Sequence, residues 1–245
     1  MAAPKFTNPP VTEAVLDLRV KLPASFDMKL FDTYSEKVKS DFPTKETQWI
    51  ANFKLDAKEK VAAIQSNEIN GFFLKSADGS RVIQIKKEGF SFNKLKPYDS
   101  WENFSKDAFS YWNLFLEIIQ PEEVTRVAVR YINLIKIPTT AKDFEEYFLT
   151  IPQIGPNLPQ LVSEQFMRLV INDEGGINTA IISQAIDVSK LDGKNIPFIF
   201  DIDVFKEVNL KPNDLKIKEI LESQREFKNR IFSESLTDKA KELFN

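Results

Sequence analysis

Polar and apolar residues alternate over residues 11–22, with Ala14, Leu16, Leu18 and Val20 on one side and Glu13, Val15, Asp17 and Arg19 on the other. A period of two is the mark of a strand with one buried face, so the chain is predicted to begin with one. After Pro23 the period changes. Leu30, Phe31, Tyr34 and Val38 recur at helical spacing, which predicts a helix over 26–38 that Pro43 closes. Short alternating runs follow at 49–55, 61–65, 71–75, 81–86 and 89–93, and Asp78-Gly79 marks a hairpin between two of them. Trp101, Phe104, Ala108, Tyr111/Trp112 and Phe115 then form the stripe of a long helix ended by Pro121.

The strongest strand pattern of the chain covers 124–137, and a short helical pattern lies at 142–148. Pro152, Gly155, Pro156 and Pro159 stiffen a loop over 151–159. Strands are predicted at 165–172, 177–186 and 197–205, with turns at 173–176 and 192–195. A helix over 212–232 carries Ile217, Ile220/Leu221, Gln224, Phe227 and Ile231 on one face, and a last short helix covers 236–244 with Ser235 as its cap. The two halves share an order of elements, which predicts an α+β protein of two β-α-β(n)-α units. The first would span 1–122 and the second 123–245, with mainly antiparallel sheets and helices packed on one face, as a saddle or a helix-grip. The two units either share one core or form two.

Composition narrows the chemistry. The chain has 245 residues, with 33 Lys+Arg against 36 Asp+Glu, and it has no histidine and no cysteine. Those two zeros exclude Ser-His-Asp and Cys-His nucleophiles, Cys/His zinc centres, iron–sulfur clusters and His-ligated haem. Seven scattered glycines form neither G-x-G-x-x-G nor a P-loop. No apolar run approaches the ~20 residues of a membrane span, and the first residues hold no signal-peptide core. The absence of cysteine suits a reducing compartment. A cytoplasmic protein without a membrane role and without a cofactor is expected. A pI near 5.3 argues against a protein that coats nucleic acid. Residues 54–96 are nevertheless net basic and 138–205 net acidic, an asymmetry that either orients a partner or is ordinary surface variation. Lys86, Lys87, Lys94 and Lys96, interleaved with Phe90, Phe92 and Tyr98, read as a solvated rim or as a contact for single-stranded nucleic acid. For catalysis there remain carboxylates, Lys, Tyr, Ser/Thr and bound metal. A lysine Schiff base ranks last, because no lysine lies within an unbroken apolar run.

Several stretches carry a resemblance. They are Phe6-x-Asn8-Pro9-Pro10-Val11-x-Glu13-Ala14, Tyr98-x-x-Trp101, Arg130-Tyr131-Ile132-Asn133, Asp201-Ile202-Asp203, and Ile231-Phe232 with Leu236-Thr237. In this order, over nearly the whole chain, they resemble a sporadically distributed family of uncharacterised bacterial proteins of about this length. The resemblance implies no activity, substrate or cofactor; the family's patchy occurrence implies a mobile or defence-associated setting.

The candidate ligand-binding residues are Glu13, Arg126, Arg130, Asn133, Asp201 and Asp203. In one reading Glu13, Arg130, Asp201 and Asp203 converge on an open sheet face, where carboxylates two apart hold Mg²⁺ or Mn²⁺ and Arg130 clamps a phosphate. In the other, Arg126 or Arg130 pairs with Asp201 or Asp203 across neighbouring strands and keeps the sheet in register; no metal ligand is assigned. Asn8-Pro9-Pro10 is either a rigid lead-in to the first strand or the lip of a pocket with Glu13 just inside. The stripe of Trp101, Phe104, Tyr111, Trp112 and Phe115 is helix-on-sheet packing or an aromatic wall for a planar ligand. Leu236, Ala240, Leu243 and Phe244 either dock on the body or swap onto a second copy to make a homodimer.

The leading expectation is a non-catalytic binding or sensor protein that recognises a protein partner or a small polar ligand on an open sheet face. The alternative is a Mg²⁺- or Mn²⁺-dependent phosphoryl-transfer or nucleic-acid-processing enzyme using the carboxylate cluster. The sequence leaves open whether the chain is an enzyme.

Overall fold

In the computed structural model the described residues are 6–56, 61–141, 143–160, 162–191 and 193–245, with side chains described outside 51–67. The chain runs through β1 (Val11–Lys21), α1 (Lys29–Lys37), β2 (Thr44–Asp56), β3 (Val61–Lys75), β4 (Arg81–Lys86), β5 (Gly89–Leu95), α2 (Trp101–Ile119) and β6 (Glu123–Pro138). There follow β7 (Phe166–Asn172), β8 (Thr179–Ile186), β9 (Asn195–Leu210), α3 (Lys216–Ser235) and α4 (Asp238–Glu242). The nine strands form one sheet in the order β2-β3-β4-β5-β1-β6-β9-β8-β7, every neighbouring pair antiparallel.

This corrects the expected architecture. The protein is mainly sheet, and two β-α-β(n)-α units in a saddle or helix-grip do not describe it. Two features decide the matter. First, β1 lies between β5 and β6, and its ladder to β6 runs from Val11–Asn133 to Lys21–Glu123. Strands from the two halves of the sequence thus pair along their whole length and leave no break in the sheet. Second, the short helix expected at 142–148 is a single 3₁₀ turn, Phe144–Glu146, so among the described residues the second half has no counterpart of α1. Residue 142 lies outside the described residues. Beyond the turn, Phe148 forms an isolated bridge to Leu236, and Phe148 is buried against the Phe198 ring at 4.2 Å. The apolar residues that suggested a helix are spent on these contacts.

Boundaries differ for local reasons. β3 is one strand where two were expected, because the polar stretch 66–70 continues the ladder with β2. The turn between β2 and β3, residues 57–60, lies outside the described residues, as do 1–5 and position 192 of the expected 192–195 turn. The cap of α4 is Thr237 rather than Ser235: its Oγ accepts from the Ala240 N–H at 3.2 Å.

Alternation along the strands separates two faces. One carries Leu16 and Leu18 from β1, Phe90 and Phe92 from β5, Val129 and Tyr131 from β6, and Phe200 and Ile202 from β9, all buried in one contiguous apolar cluster. Onto it come Trp112 and Phe115 of α2, whose rings lie 5.7 and 5.6 Å from Phe90, and Phe232 of α3, stacked 6.1 Å from Phe200. Tyr34 of α1 is buried beside Phe115. α4 folds back on its own chain, with Ala240 and Phe244 buried. The other face carries Asp17, Arg126, Arg130, Asp201 and Asp203. Among the described residues no helix is long and apolar enough to cross a membrane.

Candidate functional site

Five of the six expected site residues lie on β1, β6 and β9, three adjacent strands at the centre of the sheet, on the face away from the helices. There they engage one another and their neighbours. Arg130 forms a two-pronged pair with Asp201, Nε to Oδ1 at 2.9 Å and Nη2 to Oδ2 at 2.6 Å. That pair holds the guanidinium above its ordinary range. Arg126 is buried. It donates to Asp17 at 3.0 Å and Asp203 at 3.0 Å, stands near Glu207 at 3.9 Å, and covers the Phe205 ring. Burial raises the Asp203 carboxyl, and Arg126 and Arg130 oppose that rise. Glu13 accepts from Asn93 Nδ2 of β5 at 2.5 Å. The four residues of the sharper reading do share one side. However, the carboxylates of Asp201 and Asp203 each meet an arginine, and among the described residues no three potential metal ligands come together.

Asn133 is elsewhere. Its odd position on β6 turns it to the helix side with Tyr131. It is buried there and donates to the Phe200 carbonyl at 2.9 Å. Both residues line a cleft of about 610 Å³. One wall is the segment before β1, with Phe6, Pro9, Pro10 and Val11; a second is Tyr98–Glu102, where α2 begins; a third is α3, with Arg225, Lys228, Asn229, Phe232 and Ser233. Pro9 and Pro10 thus do form the lip of a pocket, while Glu13 lies across the sheet from it.

The lip is held locally. The Leu134 N–H donates to the Pro10 carbonyl at 2.9 Å, and the Asn8 N–H donates to the Phe244 carbonyl at 2.8 Å. The Phe6 ring packs edge-on against Phe244 and Phe232 at 5.2 and 6.2 Å. α2 begins where it does because Ser100, in extended backbone, accepts from the Asn103 N–H at 3.2 Å. That cap sets Trp101 against α3, where its Nε1 donates to Glu222 at 2.5 Å.

The electrostatics of the cleft are unequal. Its acids have partners: Glu102 accepts from Arg225 at 3.3 Å and Asp99 from Asn103 at 2.6 Å. Arg225 also bonds Glu222 at 3.2 Å. Tyr98 and Tyr131 share a hydroxyl–hydroxyl bond of 2.8 Å, and burial pushes Tyr98 up to about 12 and Tyr131 well above the ordinary phenol. Lys228 differs. Among the described residues it has no hydrogen-bond or ion-pair partner, and its Nζ stands 3.9 Å from the centre of the Tyr131 ring. The side chain keeps some accessible surface in the cleft, but protein atoms crowd it closely. Desolvation, and then the neighbouring Arg225, push its ammonium down to about 7.

Lys228 escapes sequence reasoning because its surroundings are assembled from distant segments: Glu226-Phe227-Lys228-Asn229 is polar on either side of a single phenylalanine. A signal did exist. Four of the five stretches singled out in the sequence contribute to this cleft, with Phe6, Pro9 and Pro10 from one, Tyr98 and Trp101 from the next, then Tyr131 with Asn133, and finally Phe232, while Asp201 and Asp203 lie on the other face of the sheet. A second groove, of about 440 Å³ between α2 and α3, shares Trp101, but its two lysines, Lys106 and Lys218, are exposed. No protein-family model matches the chain and no curated protein matches it.

Proposed function

We propose that the protein is a binding protein that takes a small polar ligand into the cleft between the Phe6–Val11 segment, the start of α2, β6 and α3. One observation carries this reading: in a concave space walled in part by Trp101, Tyr131 and Phe232, the amine of Lys228 has no hydrogen-bond or ion-pair partner among the described residues. An unpaired ammonium in such a place is costly to the fold, and groups held at such a cost cluster at functional sites. The face with Arg126, Arg130, Asp201 and Asp203 supports the reading indirectly. Its charges satisfy one another, as cross-strand pairs that set register do. A concave site with a few convergent polar groups is also the usual form of a small-molecule site.

Native mass spectrometry of the protein captured gently from its own host tests the proposal. The expected result is a small molecule retained by the wild type and lost from Ser233→Trp, a substitution that fills the cleft. A stoichiometric protein partner with no small molecule, unaffected by Ser233→Trp, would overturn it in favour of a scaffold role.

A further inference from the structure

The cleft combines apolar surface with a lysine that has no hydrogen-bond or ion-pair partner among the described residues. Its own acids cannot serve, because Glu102 is engaged by Arg225 and Asp99 by Asn103. The groups that face Lys228 from the packed elements are Tyr131 on β6, Tyr98 before α2, and Arg225 on α3. None supplies negative charge: the phenols stay protonated well beyond neutrality and bond each other. The described residues thus leave one charged position on the wall to be completed from outside. Around it stand Trp101, Phe232 and Pro9, surfaces that suit a planar or apolar body.

Resting on the reading of the cleft as a binding site, we infer that its ligand is a small organic acid: its carboxylate or phosphate meets Lys228, and its apolar body lies against Pro9, Trp101 and Phe232. Binding then draws a proton. A free amine that titrates near neutrality becomes protonated beside the bound anion, so binding takes up a fraction of a proton from solvent that rises towards one as the pH rises above 7. Affinity for an acid falls by up to about tenfold for each pH unit above 7, and affinity for a neutral analogue does not change.

Benzoate and phenyl phosphate, with benzamide as the neutral isostere, test this by ligand-observed NMR titration at pH 6 and 8.5. The proteins are the wild type, Lys228→Met and Lys228→Arg. The expected result is at least tenfold tighter binding of one or both acids over benzamide at pH 6, with most of that preference gone at pH 8.5. Whichever acid gains shows whether carboxylate or phosphate is the preferred head. Lys228→Met should reduce that acid to the affinity of benzamide at both pH values. Lys228→Arg, which stays charged, should keep the preference and lose its pH dependence. Equal binding of all three probes, abolished by Ser233→Trp, would overturn the acid while leaving the cleft as a site. Acid preference that survives Lys228→Met would place the anion elsewhere and overturn the inference. Absence of binding by every probe at about 10 mM would overturn the inference, whereas the reading beneath it falls only if no small molecule is retained by the wild type and lost from Ser233→Trp.

Discussion

Two cations of the same molecule show how much environment decides. Arg126 is buried but flanked by Asp17 and Asp203, while Lys228 is crowded by protein with no carboxylate near it. Their removal should therefore act in opposite directions. Arg126→Ala leaves two carboxylates facing each other, one of them already raised by burial, and should cost about 3 kcal/mol. Arg130→Ala removes a half-exposed partner and should cost about 1 kcal/mol or less. Urea unfolding of both variants separates a buried network from a surface pair. Lys228→Met should instead stabilise the protein by about 1–3 kcal/mol at pH 7. Between the folded value of about 7 and the ordinary value of 10.5, the unfolded chain holds a proton that the folded chain does not. The Lys228 contribution to wild-type stability should thus rise with pH across that window, and the advantage of Lys228→Met should fade as it does. Unfolding series from pH 6 to 10.5 read both. Of this, the sequence shows the strand-borne charges, since alternation alone puts Arg126, Arg130, Asp201 and Asp203 on one side of their strands. It hides Lys228, whose environment is made by residues nearly a hundred positions away.

Elements are legible where a local period coincides with burial. β1, β6 and α2 meet that condition, and so do the cores of β8 and β9. Polar residues at 66–70 interrupt the period of β3 without interrupting its hydrogen bonds, because a strand near the sheet edge needs partners for its backbone more than an apolar face. The apolar spacing at 144–148 serves a turn and a bridge, so a pattern too short to fix a helix yielded to tertiary contacts. Turn glycines give a prediction at this scale. Gly79, at φ 69° in the β3–β4 turn, has open space around it, and Gly79→Ala should cost about 1 kcal/mol from backbone strain alone. Gly89, at φ 154°, faces the Leu18 carbonyl of β1, where an added Cβ would lie 2.2 Å from the oxygen. Gly89→Ala should cost roughly 2–4 kcal/mol and loosen the β1–β5 ladder. Hydrogen exchange at the amides of β1 and β5 distinguishes that local opening from a general loss of stability.

At the scale of the molecule, β1 joins what the sequence suggested were two units. Its pairing with β6 spans more than a hundred residues of chain, and no local pattern encodes which of nine strands a given strand will meet. With the central ladder continuous and the buried apolar residues in one cluster, the protein should unfold in a single calorimetric transition whose van't Hoff and calorimetric enthalpies agree. Two resolved transitions would show that the halves retain separate cores. The cleft belongs to this scale too, since its walls come from the chain before β1, the middle of the sequence and α3. The Phe6–Pro10 lip is fastened through Asn8 and Phe244, so any molecule seated beneath it changes the surroundings of α4 as well. Because the chain contains no cysteine, a single thiol placed at Asn245 would be unique. An environment-sensitive dye attached there would report occupancy of the cleft from outside it, turning a structural latch into an optical gauge.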